Sequence, residues 1–172
     1  MKRSILQGRT PNLFLLEYER PAFVVNGLTL IPHFAFSISL LEKRKPLSPS
    51  AERHDWVGCN FLLDRIPLDA RIPVIYQGRV VSPSKVRASY RRLKPLEKLT
   101  IEKRGWTLDV LNVVRSLRKE EFVLSDVYDH ADQLAELHLQ NHHVRDKIRQ
   151  QLQVLRDLGL LQFLSAGSYR LL

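Results

Sequence analysis

The amino-acid sequence predicts an α+β chain in two parts: a strand-rich region over residues 1–95 and a winged helix-turn-helix domain over residues 105–172, with a linker at 96–104. Three observations predict it. Up to residue 81 the apolar residues fall in short runs bounded by proline and turn dipeptides, as strands do. From Trp106 onward they recur at three and four residues, as the buried stripe of a helix does. The order after Trp106 is helix, short apolar stitch, helix, turn, helix and hairpin, which is the order of a winged helix-turn-helix.

Taken along the chain, NLFLLEY (12–18) lies between Pro11 and Pro21 and suits a strand buried on both faces. FVVNGLTLI (23–31) places Asn26-Gly27 between two apolar runs, the signature of a tight hairpin turn. SISLLEKRK predicts a short helix, PLSPSAERHDW a loop, and VGCNFLL and IPVIYQGRVV further strands with a turn at Gln77-Gly78. SPSKVRASYRRLKPLEKLTIEKRG, basic and broken by Pro83 and Pro95, predicts a short helix and then the linker.

In WTLDVLNVVRSLRK (106–119), Leu108, Leu111, Val114 and Leu117 form one stripe. Phe122-Val123-Leu124 is the stitch. Ser125 precedes DVYDHADQLAELH, where its hydroxyl can cap a second helix while Asp126 suits the positive helix end. The third helix covers NHHVRDKIRQQLQVLRD (141–157), with Val144, Ile148, Leu152 and Leu155 turned inward. Gly159 stops it, and LLQFL and YRLL flank a turn at 165–168.

A content of 44% hydrophobic residues excludes a wholly disordered chain. The formal charge of +9 and pI near 10.0 favour a polyanionic partner, because clustered Lys and Arg displace counterions condensed around nucleic acid. The excess is uneven. Residues 1–104 carry 19 Lys+Arg against 9 Asp+Glu, residues 105–172 carry 8 against 9, and residues 141–172 carry 5 against 2. The single cysteine, Cys59, excludes an internal disulfide and a cysteine-based zinc site. No apolar run resembles a signal peptide or a membrane span, so a cytoplasmic protein without membrane contact is expected.

The third helix carries the candidate recognition residues. With its stripe facing the core, Arg145, Asp146, Arg149, Gln150 and Gln153 are left toward solvent, with Lys147 beside them. Arg pairs with guanine O6 and N7 and Gln with adenine when a helix enters the major groove. His142 and His143, at the helix start, suit phosphate together with the open backbone amides there. On an isolated helix the same residues would simply solvate a surface; the winged helix order favours double-stranded DNA as partner.

Four stretches, RTPNLFLLEY, EKRKPLSPSAERHDWVGCN, RGWTLDVLNVV and NHHVRDKIRQQLQVLRDLGLLQFLSAGSYRLL, resemble in wording and order the Dam-replacing family of methyl-directed type II restriction endonucleases. The resemblance spans nearly the whole chain. It implies a PD-(D/E)xK nuclease-type sheet region, here partial, ahead of the winged helix, and a DNA substrate methylated at adenine in GATC. Met1-Lys2-Arg3 is similar to the end of a family helix that follows the catalytic strands, so the catalytic acids, the lysine and four zinc cysteines are expected upstream of this chain. Mg²⁺ and zinc are then expected only for the full-length enzyme, and no cofactor for the chain itself.

Within this sequence no Asp or Glu is followed two residues later by Lys. The Glu-x-Lys half of the signature, which holds Mg²⁺ and assists the activated water, is missing, and no catalytic or metal-binding residue is expected here. Glu17 and Glu19 share one face of a predicted strand, an arrangement that suits solvated strand-end carboxylates better than a metal site. In HDWVGCN, Trp56 matches a family tryptophan whose flat face senses the adenine methyl, where burying a methyl supplies about 0.8 kcal/mol. A core tryptophan or a loop anchor is the alternative. Arg53, Lys43, Arg44 and Lys45 on the same loop suit phosphate contact, with His54 beside them, while Asp55 departs from the family pattern.

The expected function is binding of double-stranded DNA at adenine-methylated GATC by a truncated form that does not itself cut. One alternative is a piece of an active Mg²⁺-dependent endonuclease, with a separate N-terminal nuclease fragment as partner. Another is a winged-helix transcription regulator. Loss of the central strands would leave NLFLLEY with an unpaired edge and exposed apolar surface, so residues 1–95 are expected to be unstable alone whereas 105–172 fold.

Overall fold

The computed structural model describes residues 2–172; Met1, which opens the stretch similar to a family helix, lies outside the described residues. The first part runs α1 (Lys2–Leu6), β1 (Leu13–Glu19), β2 (Val24–Ile31), β3 (Leu41–Lys43), β4 (Cys59–Phe61), β5 (Ile72–Tyr76) and β6 (Arg79–Val80), followed by α2 (Pro83–Leu93). β1, β2, β5 and β6 form an antiparallel sheet in that order, and β3 pairs with β4 in a separate two-stranded sheet. The second part runs α3 (Ile101–Ser116), β7 (Glu121–Val123), α4 (Leu124–Tyr128), α5 (Ala131–Leu137), α6 (Val144–Asp157), β8 (Leu161–Ser165) and β9 (Ser168–Leu171). The stitch β7 pairs with β9 of the terminal hairpin, giving a three-stranded wing.

Several expectations need correction. Asn26-Gly27 is not a hairpin turn but lies inside β2, where Glu17 pairs with Gly27 and Tyr18 with Val25, so that Asn26 is the extra residue of a bulge. The reason is local packing. A Cβ at Gly27 would sit 2.7 Å from Glu17 Oε2, and the Asn26 amide donates to Glu19 Oε2 at 3.1 Å, so both dipeptide residues accommodate side chains of β1. The reversal between β1 and β2 falls instead at 20–23.

β1 is not buried on both faces. It is an edge strand with Phe14, Leu16 and Tyr18 exposed, while Leu13 and Leu15 pack on the core. SISLLEKRK forms no α-helix; one 3-10 turn at Ile38–Leu40 leads into β3, because Leu41 to Lys43 find ladder partners in Phe61 to Cys59. By contrast Gln77 and Gly78, at φ 49° and 72°, make the expected two-residue turn between β5 and β6.

Residues 96–104 lie largely in helical turns. A 3-10 turn spans Lys94–Lys98 with Leu96 fully buried, and α3 begins at Ile101 with Thr100 Oγ1 accepting from Lys103 N at 3.3 Å. The second helix is broken into α4 and α5, and its cap is not Ser125. Asp126 accepts from Val123 N at 3.0 Å, a bond that, with Lys119 at 3.1 Å, holds its carboxyl below the usual carboxylate range. Gly159, at φ 70°, ends α6 as expected.

The two parts share one core, which runs from Ile5, Ile31 and Phe34 through α3 to Leu152 and Tyr169. Helix α3 is its axis, with every residue from Arg104 to Leu111 buried. Polar links join the two parts and brace α3 within the second. Ser39 Oγ donates to Asp109 Oδ1 at 3.0 Å, His138 Nε2 meets Asp109 Oδ2 at 2.9 Å, and Arg115 grips Asp69 with two nitrogens, Nε at 2.7 Å. The Asp69 side chain is only 8% exposed, so its removal strands a partly buried guanidinium. Asp69→Ala is expected to lower stability by roughly 2–3 kcal/mol in urea unfolding, below the full range for a wholly buried pair because Arg115 keeps some water. A change under about 0.5 kcal/mol would reduce the pair to a surface contact.

Candidate nucleic-acid interface

The inner face of α6 is Ile148, Leu152 and Leu155, all fully buried, with Val144 half-buried; Gln151 and Val154 join it. Gln151 is a buried amide with a purpose. Thr107 Oγ1 of α3 lies 2.8 Å from Gln151 Oε1 and 2.7 Å from Lys103 O, so the hydroxyl ties the helix axis to α6. The outer face presents Arg145, Asp146, Arg149, Gln150 and Gln153, all exposed, with Lys147 half-buried at the margin. His142 and His143 are exposed at its start.

His143 is the residue before the first turn and makes no side-chain cap; its N–H donates to Asn141 Oδ1 at 2.9 Å. The first N–H groups of α6 therefore have no acceptor within the helix and face solvent beside two histidines, the arrangement that receives a phosphate.

The arginines of this face are already oriented. Arg149 donates to Asp146 one turn earlier, and that carboxylate, then Tyr128, raise the guanidinium pKa above its ordinary value. Arg145 lies over the Tyr128 ring, 5.2 Å from its centroid. An exposed pair such as Arg149 with Asp146 contributes little to stability, so exchanging the carboxylate for a base edge or phosphate costs little. Further cations of α6 and the wing are engaged: Arg156 of α6 over Phe163 at 4.7 Å, and Arg170 of β9 with Glu121 at 3.0 Å. The sequence pointed to the arginines but not to Tyr128, whose role depends on α4 being packed against α6.

The second set of expected residues stands on the excursion between β3 and β4. Lys43, Arg44, Lys45, Arg53 and Trp56 are all exposed there, and Trp56, at 54%, is no core residue. Its ring lies on Gly58, where an added Cβ would come within 2.8 and 2.9 Å of ring carbons. Arg44 N donates to Gly58 O at 3.0 Å, closing the base of the loop, and the Arg44 side chain flanks the same glycine. Beside it opens a pocket of about 470 Å³ with Lys2, Arg3 and Lys43 at its walls and Ile38, Leu41 and Val57 as its apolar lining. Nothing in the sequence joins Lys2 and Arg3 to this loop; α1 reaches it only through the tertiary fold. α6 and this loop are separate sets on separate elements.

Among the described residues no group of three or more His, Cys, Asp or Glu is arranged to hold a metal ion. Glu17 and Glu19 are occupied in the β1–β2 bulge.

Comparison with sequence models of protein families gives two matches. Residues 1–99 match the Dam-replacing family and residues 102–171 match the Dam-replacing HTH domain. The chain belongs to the Dam-replacing family. The second match runs from the first turn of α3 to the end of β9, so the Dam-replacing HTH domain here comprises the helix axis, the broken second helix, α6 and the wing. Family and domain together point to DNA binding in a restriction-modification setting. No helix among the described residues is long and apolar enough to cross a membrane.

The contact of Trp56 with Gly58 can be tested in this Dam-replacing chain by fluorescence. Trp106 is 1% exposed, so acrylamide-accessible emission reports Trp56. Gly58→Ala is expected to displace the Trp56 ring and change that quenching while leaving the unfolding midpoint within about 2 °C, because the loop is exposed and contributes little to the core. Unchanged quenching would show that the ring does not rest on Gly58.

Proposed function

We propose that this chain binds double-stranded DNA at GATC sites methylated on adenine, with α6 in the major groove and Trp56 presented to the methyl group. One observation carries the reading: the exposed face of α6 gathers Arg145, Arg149, Gln150 and Gln153 around an open helix N-terminus. Guanine and adenine, both present in GATC, are the bases that Arg and Gln pair with in the major groove. His142, His143 and Lys147 are assigned to phosphates, and Asp146 holds Arg149 in place until a base edge replaces it. Lys43, Arg44, Lys45 and Arg53 are assigned to the backbone beside Trp56, whose exposed apolar face is free to take a methyl group. The cytoplasm is the proposed compartment.

Cleavage is not assigned to these residues, because the sequence has no Glu-x-Lys. A second reading treats the chain as one working piece of a Mg²⁺-dependent endonuclease with a PD-(D/E)xK sheet. Phe14, Leu16 and Tyr18, apolar and exposed on the edge strand β1, favour it, since an edge of this kind suits a further strand or helix supplied by a separate nuclease fragment.

Anisotropy titration at fixed salt with fully methylated, hemimethylated and unmethylated GATC duplexes tests the proposal. The fully methylated duplex is expected to bind tightest, and equal binding to all three removes the methyl-reading role. Arg145→Ala and Arg149→Ala are each expected to weaken binding roughly ten- to hundredfold. Trp56→Ala is expected to narrow the gap between methylated and unmethylated DNA. Unchanged affinity in both arginine variants rejects α6 as the reading helix, and Mg²⁺-dependent cutting by the chain alone rejects the assignment of binding without cleavage.

A further inference from the structure

A second pocket, of about 440 Å³, opens at the seam between the two parts of the chain, away from α6 and from the Trp56 loop. It is lined by Gln7, Gly8 and Thr10 after α1, by His33, by Glu97, and by Thr100, Ile101 and Arg104 at the start of α3. Arg104 is only 6% exposed. Its Nε has no hydrogen-bond partner, and the guanidinium takes part in none of the ion pairs among the described residues. The acid at hand, Glu97, is turned to His33, whose Nε2 it meets at 3.2 Å.

A buried cation without a partner is costly, and arginine cannot escape by losing its proton. Burial pulls its pKa below the ordinary value, and Glu97 offsets part of that. Other donors line the same pocket. Thr100 Oγ1 accepts from Lys103 N, which leaves its own proton to donate. Of the first N–H groups of α3, a helix of 16 residues, Lys103 and Arg104 bond to Thr100, which leaves those of Ile101 and Glu102 without an acceptor within the helix. A guanidinium fork, a hydroxyl and helix-end amides gathered at one end of α3 suit a tetrahedral oxyanion with several acceptor oxygens.

We infer that the pocket at Arg104 binds a phosphate group, with Arg104, Thr100 and the α3 N-terminus as its donors. The group belongs either to a free phosphate compound or to the DNA backbone. Arg104 then gains a hydrogen-bonded counter-charge, which no carboxylate among the described residues provides, and the site lies on the helix around which both parts of the chain are packed.

The experiment uses the full chain with inorganic phosphate as probe and chloride or acetate at equal ionic strength as controls. The unfolding midpoint is expected to rise by about 5 °C when phosphate reaches roughly a hundred times its dissociation constant. Arg104→Met, which removes the unpaired cation but keeps an unbranched side chain, is expected to lose this response and to melt no lower than wild type in chloride. The Arg104 guanidinium N–H resonances of the wild-type chain give a reading that needs no variant. Saturable movement on adding phosphate supports the site and assigns a free phosphate compound, and movement with a GATC duplex in phosphate-free buffer assigns the DNA backbone. Resonances that move with neither probe, an equal midpoint rise in chloride or acetate, or an undiminished response in a folded Arg104→Met variant overturn the inference.

Discussion

Helix α3 is enclosed on almost every side from Arg104 through Leu111, and again at Val113 and Val114, so the two parts of the chain are built around one helix rather than set beside each other. Enclosure imposes a demand on its polar residues, because a buried hydroxyl or carboxylate without a partner costs free energy on the scale of a lost hydrogen bond or more. Asp109 meets the demand with Ser39 and His138, and Thr107 with Lys103 O and Gln151. His138 is fixed again by stacking on Trp106, with ring centroids 3.8 Å apart. The polar residues of α3 therefore specify which neighbours surround it, and its apolar residues supply the burial that makes the arrangement stable.

The same contacts set where α6 and the Trp56 loop stand. Ser39 lies just before β3, the strand that leads into the Trp56 loop, whereas His138 closes α5 shortly before α6. Asp109 bonds to both. The loop and the reading helix thus share a support inside the protein even though they are separate on its surface. Gln151 adds a direct tie from α3 to the buried face of α6, opposite Arg149 and Gln153. A side chain that must meet a base edge needs its helix held in place from behind, and a buried amide bonded to the axis helix does this more specifically than apolar packing alone.

What the sequence made legible follows from the range of the forces involved. The stripe of Val144, Ile148, Leu152 and Leu155 and the stop at Gly159 are local and periodic, and the wing hairpin follows the same logic, so those elements could be read directly. The turn at Gln77-Gly78 was legible for the same reason, yet the equally good dipeptide Asn26-Gly27 became a bulge. The difference lies in β1: Glu17 needs the space above Gly27, and a dipeptide does not reveal what crosses it from another strand. SISLLEKRK became a 3-10 turn and a strand because its ladder partner is eighteen residues away at Asn60, bonded through Glu42. The exposed residues of α6 were legible from periodicity, but their engagement with Asp146 and Tyr128 was not, and neither was the setting of Arg104, whose pocket is completed by Leu6, Gln7, Gly8, Thr10, His33 and Glu97 from outside α3.

Charge ties these observations to binding. The part of the chain that carries the reading helix is close to neutral, at 8 basic against 9 acidic residues, while the part before it holds 19 against 9. Three of the wing-side arginines, Arg149, Arg156 and Arg170, are engaged with carboxylates of their own fold. Electrostatic affinity for a duplex scales with the number of phosphates neutralised, and few of these are left to the second part. The first part exposes cations on the Trp56 loop and along α2 at Lys85, Arg87 and Arg91, and under the proposed function these supply that affinity. Under the proposed function such a division separates attraction from reading: one part would draw the phosphate backbone in, and the other, with its arginines preset against Asp146 and Tyr128, would exchange weak internal contacts for base contacts. A reading helix with little free charge of its own holds non-cognate DNA weakly, which is the condition for specificity in a protein surrounded by competing sites.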